Sequence, residues 1–412
     1  MSRTRDPSQY GNQRGISIQH YLINMINKIL SDLDTTEVTA VLATFIDWKD
    51  AFPNQCPKLG IEAFQRCGVR NSLIPILINY LQERSIVVKW HGKKSKQLPT
   101  NGGGPQGGYL GNLEYLSQSN QSADCVPDDS RFKFVDDLTV LEKIFILMAG
   151  LASHNVKSQV PNDIHMNNLF IPKENLNSQS YLNQIERWTE DQKMKLNTDK
   201  TKCMIFNFTK SKQFSTRLTL KNTQLETVKE MKLLGTIISD DLKWNKNTSN
   251  LVKKAYSRME LLRQIKCFTK STADKLHIYK TYIRNNLEQS CVVWGSSISK
   301  QNDKDIERVQ KIAVNLILNQ KHSYKEALEL LKIPTLRERR KMLSARFADK
   351  CLGNKKTKHM FQITKKKHIM KTRAQRKFIE TNARTVRMAR SAIPTMQKHL
   401  NNKHQIFQRF QK

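Results

Sequence analysis

Phe134-Val135-Asp136-Asp137 sets two adjacent carboxylates behind two apolar residues, within Arg131-Phe132-Lys133-Phe134-Val135-Asp136-Asp137-Leu138-Thr139-Val140. Apolar residues on both sides of an acidic pair predict a strand, a tight turn and a second strand, with the acids at the turn. Such a hairpin lifts carboxylates out of a sheet, where they can hold a hard divalent cation. Mg²⁺ takes oxygen ligands, usually one or two carboxylates plus substrate phosphates. A solvated turn competes with this reading and, for the pair taken alone, is about three times as common. A third acid, Asp47, closes the run Thr39-Ala40-Val41-Leu42-Ala43-Thr44-Phe45-Ile46. A nearly all-apolar strand is buried on both faces, so Asp47 sits where the chain leaves the core. That position suits a metal ligand and suits a helix N-cap equally well.

The third chemical feature is Asn101-Gly102-Gly103-Gly104-Pro105-Gln106-Gly107-Gly108-Tyr109-Leu110-Gly111. Glycine lets backbone approach a ligand closely because no Cβ stands in the way. A glycine-rich run is also the composition of a mobile connection. Pro105-Gln106-Gly107 ahead of a helix over Tyr109–Ser119 is the more specific part of it. Asp128-Asp129 reads as a solvated turn.

The elements that must carry these residues follow from the apolar spacing. Ile18, Leu22, Ile23, Ile26 and Leu30 predict an amphipathic helix over Ser17–Leu33. After the Thr39–Ile46 strand come a helix over Leu73–Glu83, with Pro75 in its first turn, and a strand over Ser85–Trp90 with a turn at His91–Lys94. An apolar helix is expected over Leu141–Ala152 and another over Ser178–Met194. A polar turn at Leu196–Lys202 feeds a strand over Cys203–Phe208. A hairpin is expected to pair Arg217–Leu220 with Lys232–Ile238. From Asn245 to about Phe347 the pattern is helical and basic, with one stripe at Leu251, Ala255, Met259, Leu262 and Ile265.

The 412 residues suffice for two or three domains. They carry 70 Lys and Arg against 36 Asp and Glu, a formal net charge of +34. So basic a surface points first to nucleic acid and second to an anionic membrane. The longest apolar run, 144–152, is too short to span a bilayer, and the first residues have no signal-peptide apolar region. Seven scattered cysteines without a Cys-x-x-Cys pair argue against a zinc site or a disulfide frame, and for a reducing compartment. An intracellular location, nuclear or cytoplasmic, is therefore expected. The last 62 residues hold 17 Lys and Arg against one acid, Glu380, with few large apolar residues. They read as a flexible polyelectrolyte arm, and Lys365-Lys366-Lys367-His368 within them fits a basic targeting patch.

An ordered series emerges: Ile46-Asp47 with Ala51-Phe52, Gly104-Pro105-Gln106-Gly107, Phe134-Val135-Asp136-Asp137, Leu196-Asn197 with Lys200-Thr201, and Leu234-Gly235. It resembles the palm of reverse transcriptases from non-LTR retrotransposons. Leu287-Glu288-Gln289-Ser290 with Trp294, and Asp305 with Glu307-Arg308-Val309-Gln310, look like the helical region that follows. The resemblance covers roughly residues 9–347.

It implies an α+β fold: a right-hand polymerase palm, its antiparallel sheet packed on helices, with partial fingers, over residues 1–245. A helical thumb-like region follows at 246–350, and the basic tail at 351–412. It implies RNA-directed DNA polymerase chemistry, two-metal transfer of dNTPs onto a DNA primer 3′-hydroxyl along an RNA template. Asp47 and Asp136 would ligate two Mg²⁺ ions, for which Mn²⁺ can substitute, with Asp137 as a supporting acid. Phe52 matches the aromatic that crowds the 2′ position of the incoming nucleotide; core packing is its other reading. Gly104, Pro105, Gln106 and Gly107 match the template and nucleotide segment. Lys200 matches a lysine near the triphosphate, or is a solvated turn lysine. Arg308, Lys311, Arg337, Arg339 and Arg340 form the basic helix faces expected to contact the duplex backbone. Gly108 stands where many relatives have serine, and Pro53 where many have Asp. The sequence also reads as N-terminally truncated against the family, without basic fingers residues or an endonuclease domain. A palm that has lost catalysis and only binds nucleic acid is the second functional reading.

Overall fold

The computed structural model describes residues 6–82, 84–100, 102–105, 108–145, 168–209, 213–320, 322–362 and 378–401. The chain forms two compact units, one of Met1–Ser17 with Thr36–Val228, the other of Ile18–Thr35 with Lys229–Lys412.

The first unit is organised around Val38–Ile46, the middle strand of a five-stranded sheet. The order across the sheet is Glu226–Thr227, Lys202–Phe206, Val38–Ile46, Asp137–Phe145 and Arg131–Phe134. The central strand pairs antiparallel with both neighbours; only the short Glu226–Thr227 edge is parallel to its partner. Eight of its nine residues are buried, as expected for a strand with neighbours on both edges and side chains inside on both faces. On one face Ala40, Leu42 and Ile46 pack with Leu138, Val140 and Ile144, and with Leu182 and Ile185 of the helix Asn177–Asp191. That helix is tied to the sheet at its N-terminus. Glu142, buried in the neighbouring strand, accepts from the N–H groups of Asn177 and Ser178 at 2.8 Å each. Its carboxylate satisfies two otherwise orphaned donors and meets the positive end of the helix dipole.

The segment Leu141–Phe145, expected to begin an apolar helix, is the end of the strand Asp137–Phe145, paired residue by residue with the central strand through Ile144↔Ala40. A continuous apolar run fits a buried strand as well as a buried helix, and here the open edge of Val38–Ile46 decides it. Residues 146–152 of that expectation lie outside the described residues. The expected hairpin between 217–220 and 232–238 is two separate hairpins. Thr219–Leu220 pairs with Thr223–Gln224, and Glu230–Leu233 pairs with Thr236–Ser239 across Leu234-Gly235. His91-Gly92 alone forms the turn expected over 91–94, because Lys93–Lys94 is already strand, paired with Lys89–Trp90.

The second unit is helical apart from the 230–239 hairpin. In Asn245–Phe268 the stripe Leu251, Ala255, Met259 and Leu262 is buried, and this helix packs along Lys300–Leu318. Ile18–Leu33 belongs here, packed with Val386–Ala389 and Ala392–Asn401. The basic tail is therefore not a free arm throughout. Phe378, Met388, Ile393, Met396 and Leu400 are buried, and Asp34 accepts from the Arg384 and Thr385 N–H groups at 2.8 and 2.7 Å. Sparse apolar residues at helical spacing suffice because the core they join is supplied by other elements. Residues 363–377, with the basic tetrad, and 402–412 lie outside the described residues. Among the described residues no helix is long and apolar enough to cross a membrane.

Candidate active site

Asp47 follows the last residue of the central strand, and Asp136 occupies the turn between Arg131–Phe134 and Asp137–Phe145. The register pairs Ile46 with Leu138. Asp47 and Asp137 are therefore the next positions along the two paired strands, at the same end of the sheet as the turn. Residues 89 positions apart in sequence are brought together by one antiparallel pairing.

Their electrostatics report that closeness. Burial pushes Asp137 up to about 7, reinforced by the charges of Asp136 and then Asp47. Burial also raises Asp47, with Lys200 opposing and Asp136 adding to the rise. Asp136 is raised by burial. One oxygen of Asp47, Oδ2, is buried without a hydrogen-bond partner. Asp47 and Asp137 are half-buried and Asp136 is exposed at the turn; the Asp136 charge disfavours ionisation of both neighbours, so a cation there would stabilise the group. Among the described residues, however, no group of three His, Cys, Asp or Glu side chains is gathered closely enough to hold a metal ion. The arrangement fits one or two carboxylates completing their ion with substrate phosphates, as Mg²⁺ commonly is held.

Backbone contacts from distant segments fix both acids. The Asp47 N–H donates to Thr201 Oγ1 at 3.2 Å, its carbonyl accepts from the Asn197 N–H at 2.9 Å, and Thr201 Oγ1 donates to the Asn197 carbonyl at 2.7 Å. Trp48 bridges Leu196. The Leu196–Thr201 turn thus clasps the end of the central strand. The same turn carries Lys200, exposed to solvent and electrostatically coupled to Asp47.

At the acidic turn, Val135 adopts φ 59°, a left-handed conformation costly for a β-branched residue. Gln9 holds it there. Gln9 Oε1 accepts from the N–H groups of Val135 and Gly11, at 2.9 and 2.7 Å. A Cβ on Gly11 would meet Val135 Cγ2 at 2.5 Å and its backbone nitrogen at 2.6 Å. Nothing in the sequence singles out Gln9; its Gln-x-Gly spacing, with a glycine where another chain passes closely, is the available signal.

Phe52 is half-buried, its ring centroid 5.1 Å from that of Tyr115. Tyr115 is fully buried, and its hydroxyl pKa is pushed far up by burial and by Asp136, Asp137 and Asp47. It forms an aromatic floor beneath the acids that sequence reasoning did not identify. The glycine loop is stitched to the segment after Asp47. The Gly103 N–H donates to the Gln55 carbonyl at 2.9 Å, the Gly104 N–H donates to the Phe52 carbonyl at 2.8 Å, and the Arg84 guanidinium donates to the Gly102 and Gly103 carbonyls. A Cβ at position 104 would lie 1.6 Å from Gln55 Oε1, so any larger residue there would have to displace the Gln55 side chain. Behind it, Gln55 and Glu114 are buried with their side-chain polar atoms unpartnered. Burial pushes Glu114 up to about 7 against the pull of Arg84. Pro105 is half-buried beside this cluster; Gln106 and Gly107 lie outside the described residues.

The expected nucleic-acid residues lie in the second unit and divide. Arg308 and Lys311 are exposed on the Lys300–Leu318 helix. Arg337 is exposed, 3.4 Å from Asp303. Arg339 is held by Glu288 at 3.0 Å. Arg340 is buried, ion-paired with Asp303 and 6.0 Å from the Trp294 ring centroid. Arg339 and Arg340 thus spend their charge within the fold, because Glu288 and Asp303 stand against their helix.

No family model matches the sequence. The chain is 21% identical over 311 residues to a probable RNA-directed DNA polymerase from transposon X-element of Drosophila melanogaster. The match covers 74% of this chain and 30% of that protein, so the chain spans under a third of its relative's length. Among solved structures, apo telomerase of Candida tropicalis aligns at TM-score 0.36 and 11% identity, over 83% of this chain and 50% of that one. Telomerase of Candida albicans with a telomeric RNA fragment aligns at 0.34 and 10%, over 83% and 53%. Likeness at that level fixes neither fold nor function.

Proposed function

Taking as premise that the chain is a relative of the RNA-directed DNA polymerases of non-LTR transposons, we propose that it is a reverse transcriptase whose first unit is the palm. It would add dNTPs to a primer 3′-hydroxyl along an RNA template. The observation that carries this is the meeting of Asp47 with the Asp136-Asp137 turn at one end of the sheet, where the Asp136 charge makes both Asp47 and Asp137 harder to ionise.

Asp47 and Asp136 would hold two Mg²⁺ ions, which when bound lower the pKa of the 3′-hydroxyl and neutralise triphosphate charge. Asp137, next to Asp136, supports the pair as a third acid at the same end of the sheet. Phosphoryl transfer asks little of protein beyond positioning and charge. The Leu196–Thr201 clasp and the Gln9–Val135 contact supply the positioning. Lys200 supplies a cation on the side of Asp47, facing the triphosphate. Phe52, braced by Tyr115, stands against the sugar and disfavours a 2′-hydroxyl. Gly102, Gly103 and Gly104 give template and nucleotide a stretch of bare backbone, and the exposed Arg308 and Lys311 contact duplex phosphates.

The test is primer extension by the purified chain on an RNA template with Mg²⁺. The reading predicts template-directed dNTP incorporation that a chelator abolishes; a well-folded chain that incorporates nothing would remove it.

A further inference from the structure

Arg84–Ile86 pairs with Leu98–Thr100, and Lys89–Trp90 with Lys93–Lys94, forming one projecting hairpin. Every residue from Ser85 to Pro99 is exposed. A two-stranded hairpin with no core beneath it is marginal in water, yet this one carries large apolar side chains: Ile86 is 59%, Val88 62% and Trp90 74% exposed. Ile86 ends Arg84–Ile86, Val88 lies in the link that follows, and Trp90 is in Lys89–Trp90 next to the turn. Lys93 is paired across from Trp90, Lys89 with Lys94 forms the adjacent pair, and Lys96 follows in sequence. Residues 84–101 contain no acid, and none of the four lysines has an acidic partner among the described residues. His91 stands edge-on to the Trp90 ring, centroids 4.9 Å apart at 85°, leaving the indole standing proud of the tip.

We propose that this hairpin is a binding site for an unpaired nucleic-acid strand, which stacks a base on Trp90 and lays its phosphates along Lys89, Lys93, Lys94 and Lys96. The chemistry favours that occupant over a protein. An exposed indole offers a π-face to any base, and four lysines in a hairpin without acids match a polyanion. A protein-facing patch would be expected to deplete lysine at its centre. The hairpin's base also runs directly into the glycine loop, where Arg84 grips the Gly102 and Gly103 carbonyls. A strand held at the tip is thereby placed on the same element as the proposed template surface. The inference extends the polymerase reading but is tested by binding, so either can fail without the other.

The experiment measures anisotropy of a labelled 20-nucleotide oligo(U) titrated with full-length chain, all variants carrying Asp136→Ala to remove turnover. Trp90→Ala should weaken binding about 5- to 150-fold, the usual cost of losing one stacked base. Trp90→Phe, which still stacks, should stay within about threefold of the parent. Lys93→Ala with Lys94→Ala should flatten the log–log salt dependence by about 0.7 per lost contact. A blunt duplex of the same length should bind the parent and Trp90→Ala alike. Since the hairpin is exposed throughout, thermal melts of the variants should match the parent. Unchanged oligo(U) affinity in Trp90→Ala, or an equal loss on duplex, overturns the proposal. So does self-association of the parent that Trp90→Ala abolishes while oligo(U) affinity stays the same, because the face would then belong to a second copy.

Discussion

Gln9 grips both backbone polar groups of Val135. Its Oε1 accepts from the Val135 N–H at 2.9 Å, and its Nε2 donates to the Val135 carbonyl at 3.4 Å. The residue so held is in the left-handed region, at a cost on the order of 1–3 kcal/mol, and it immediately precedes Asp136. Gln9→Ala should therefore let the turn relax and shift the carboxylate. Single-turnover incorporation should fall by about 100-fold, as a misplacement of about 1 Å costs, with template affinity unchanged. Gly11→Ala should act in the same direction through its clash with Val135. Full activity in both variants would show the turn to be self-supporting.

Glu114 makes stability depend on pH. An acid whose folded pKa lies above its unfolded value binds its proton more tightly when folded. Burial pushes Glu114 up to about 7, so the wild type should lose stability as pH rises from about 4.5 to 7 and no further above that. The loss is on the order of 3 kcal/mol at most. Glu114→Gln should melt with the wild type at pH 4.5 and several degrees above it at pH 8. Parallel pH profiles would contradict the assignment.

Asp6 gives the opposite slope. Arg131 and Lys133 are buried, with Asp6 at 3.2 and 2.7 Å. Burial works against the ionised Asp6, but Lys133 and the hydrogen bonds from Lys133 and Ser8 outweigh it and hold its pKa low. Its contribution is present above the ordinary carboxylate range and lost as pH falls through the lowered value. Asp6→Ala takes from buried Lys133 its carboxylate at 2.7 Å, while Arg131 keeps Asp128 at 2.6 Å and Asp124 at 3.5 Å; it should cost about 3 kcal/mol in urea unfolding at pH 7, with the deficit shrinking in acid.

The basic second-unit residues should separate by role. Arg308→Ala with Lys311→Ala should leave the melting temperature in place and reduce the salt slope of duplex binding by about 0.9 per lost phosphate contact. Arg340→Ala should lower the melting temperature first, because it leaves Asp303 without its buried partner. Equal effects of all three on the salt slope would undo that division.

How far the sequence disclosed this arrangement depended on range. Val38–Ile46 was legible as a doubly buried strand because burial on both faces writes an unbroken apolar run. The stripe from Leu251 to Leu262 was legible because helical period survives in sequence. Leu141–Phe145 was misread as helix, since a short apolar run carries no period and its pairing partner lies about a hundred residues upstream. The embedding of Met388, Ile393 and Met396 was hidden for a similar reason: the core they join is built elsewhere. Asp47 and Asp136 were singled out by residue type and motif order, but their clasps were not. Thr201 and Gln9 act across 154 and 126 residues through hydrogen bonds that leave no local pattern.

The account rests on Asp47 and Asp136 serving one site. The most direct measurement is single-turnover dNTP incorporation on an RNA template by Asp47→Ala, Asp136→Ala and the double variant. Groups that act as a unit are strongly non-additive. Each single variant should therefore lose at least about 10³-fold, and the double should be no slower than the worse single. Losses that multiply in the double variant, or a single variant retaining near wild-type rate, would contradict a shared site.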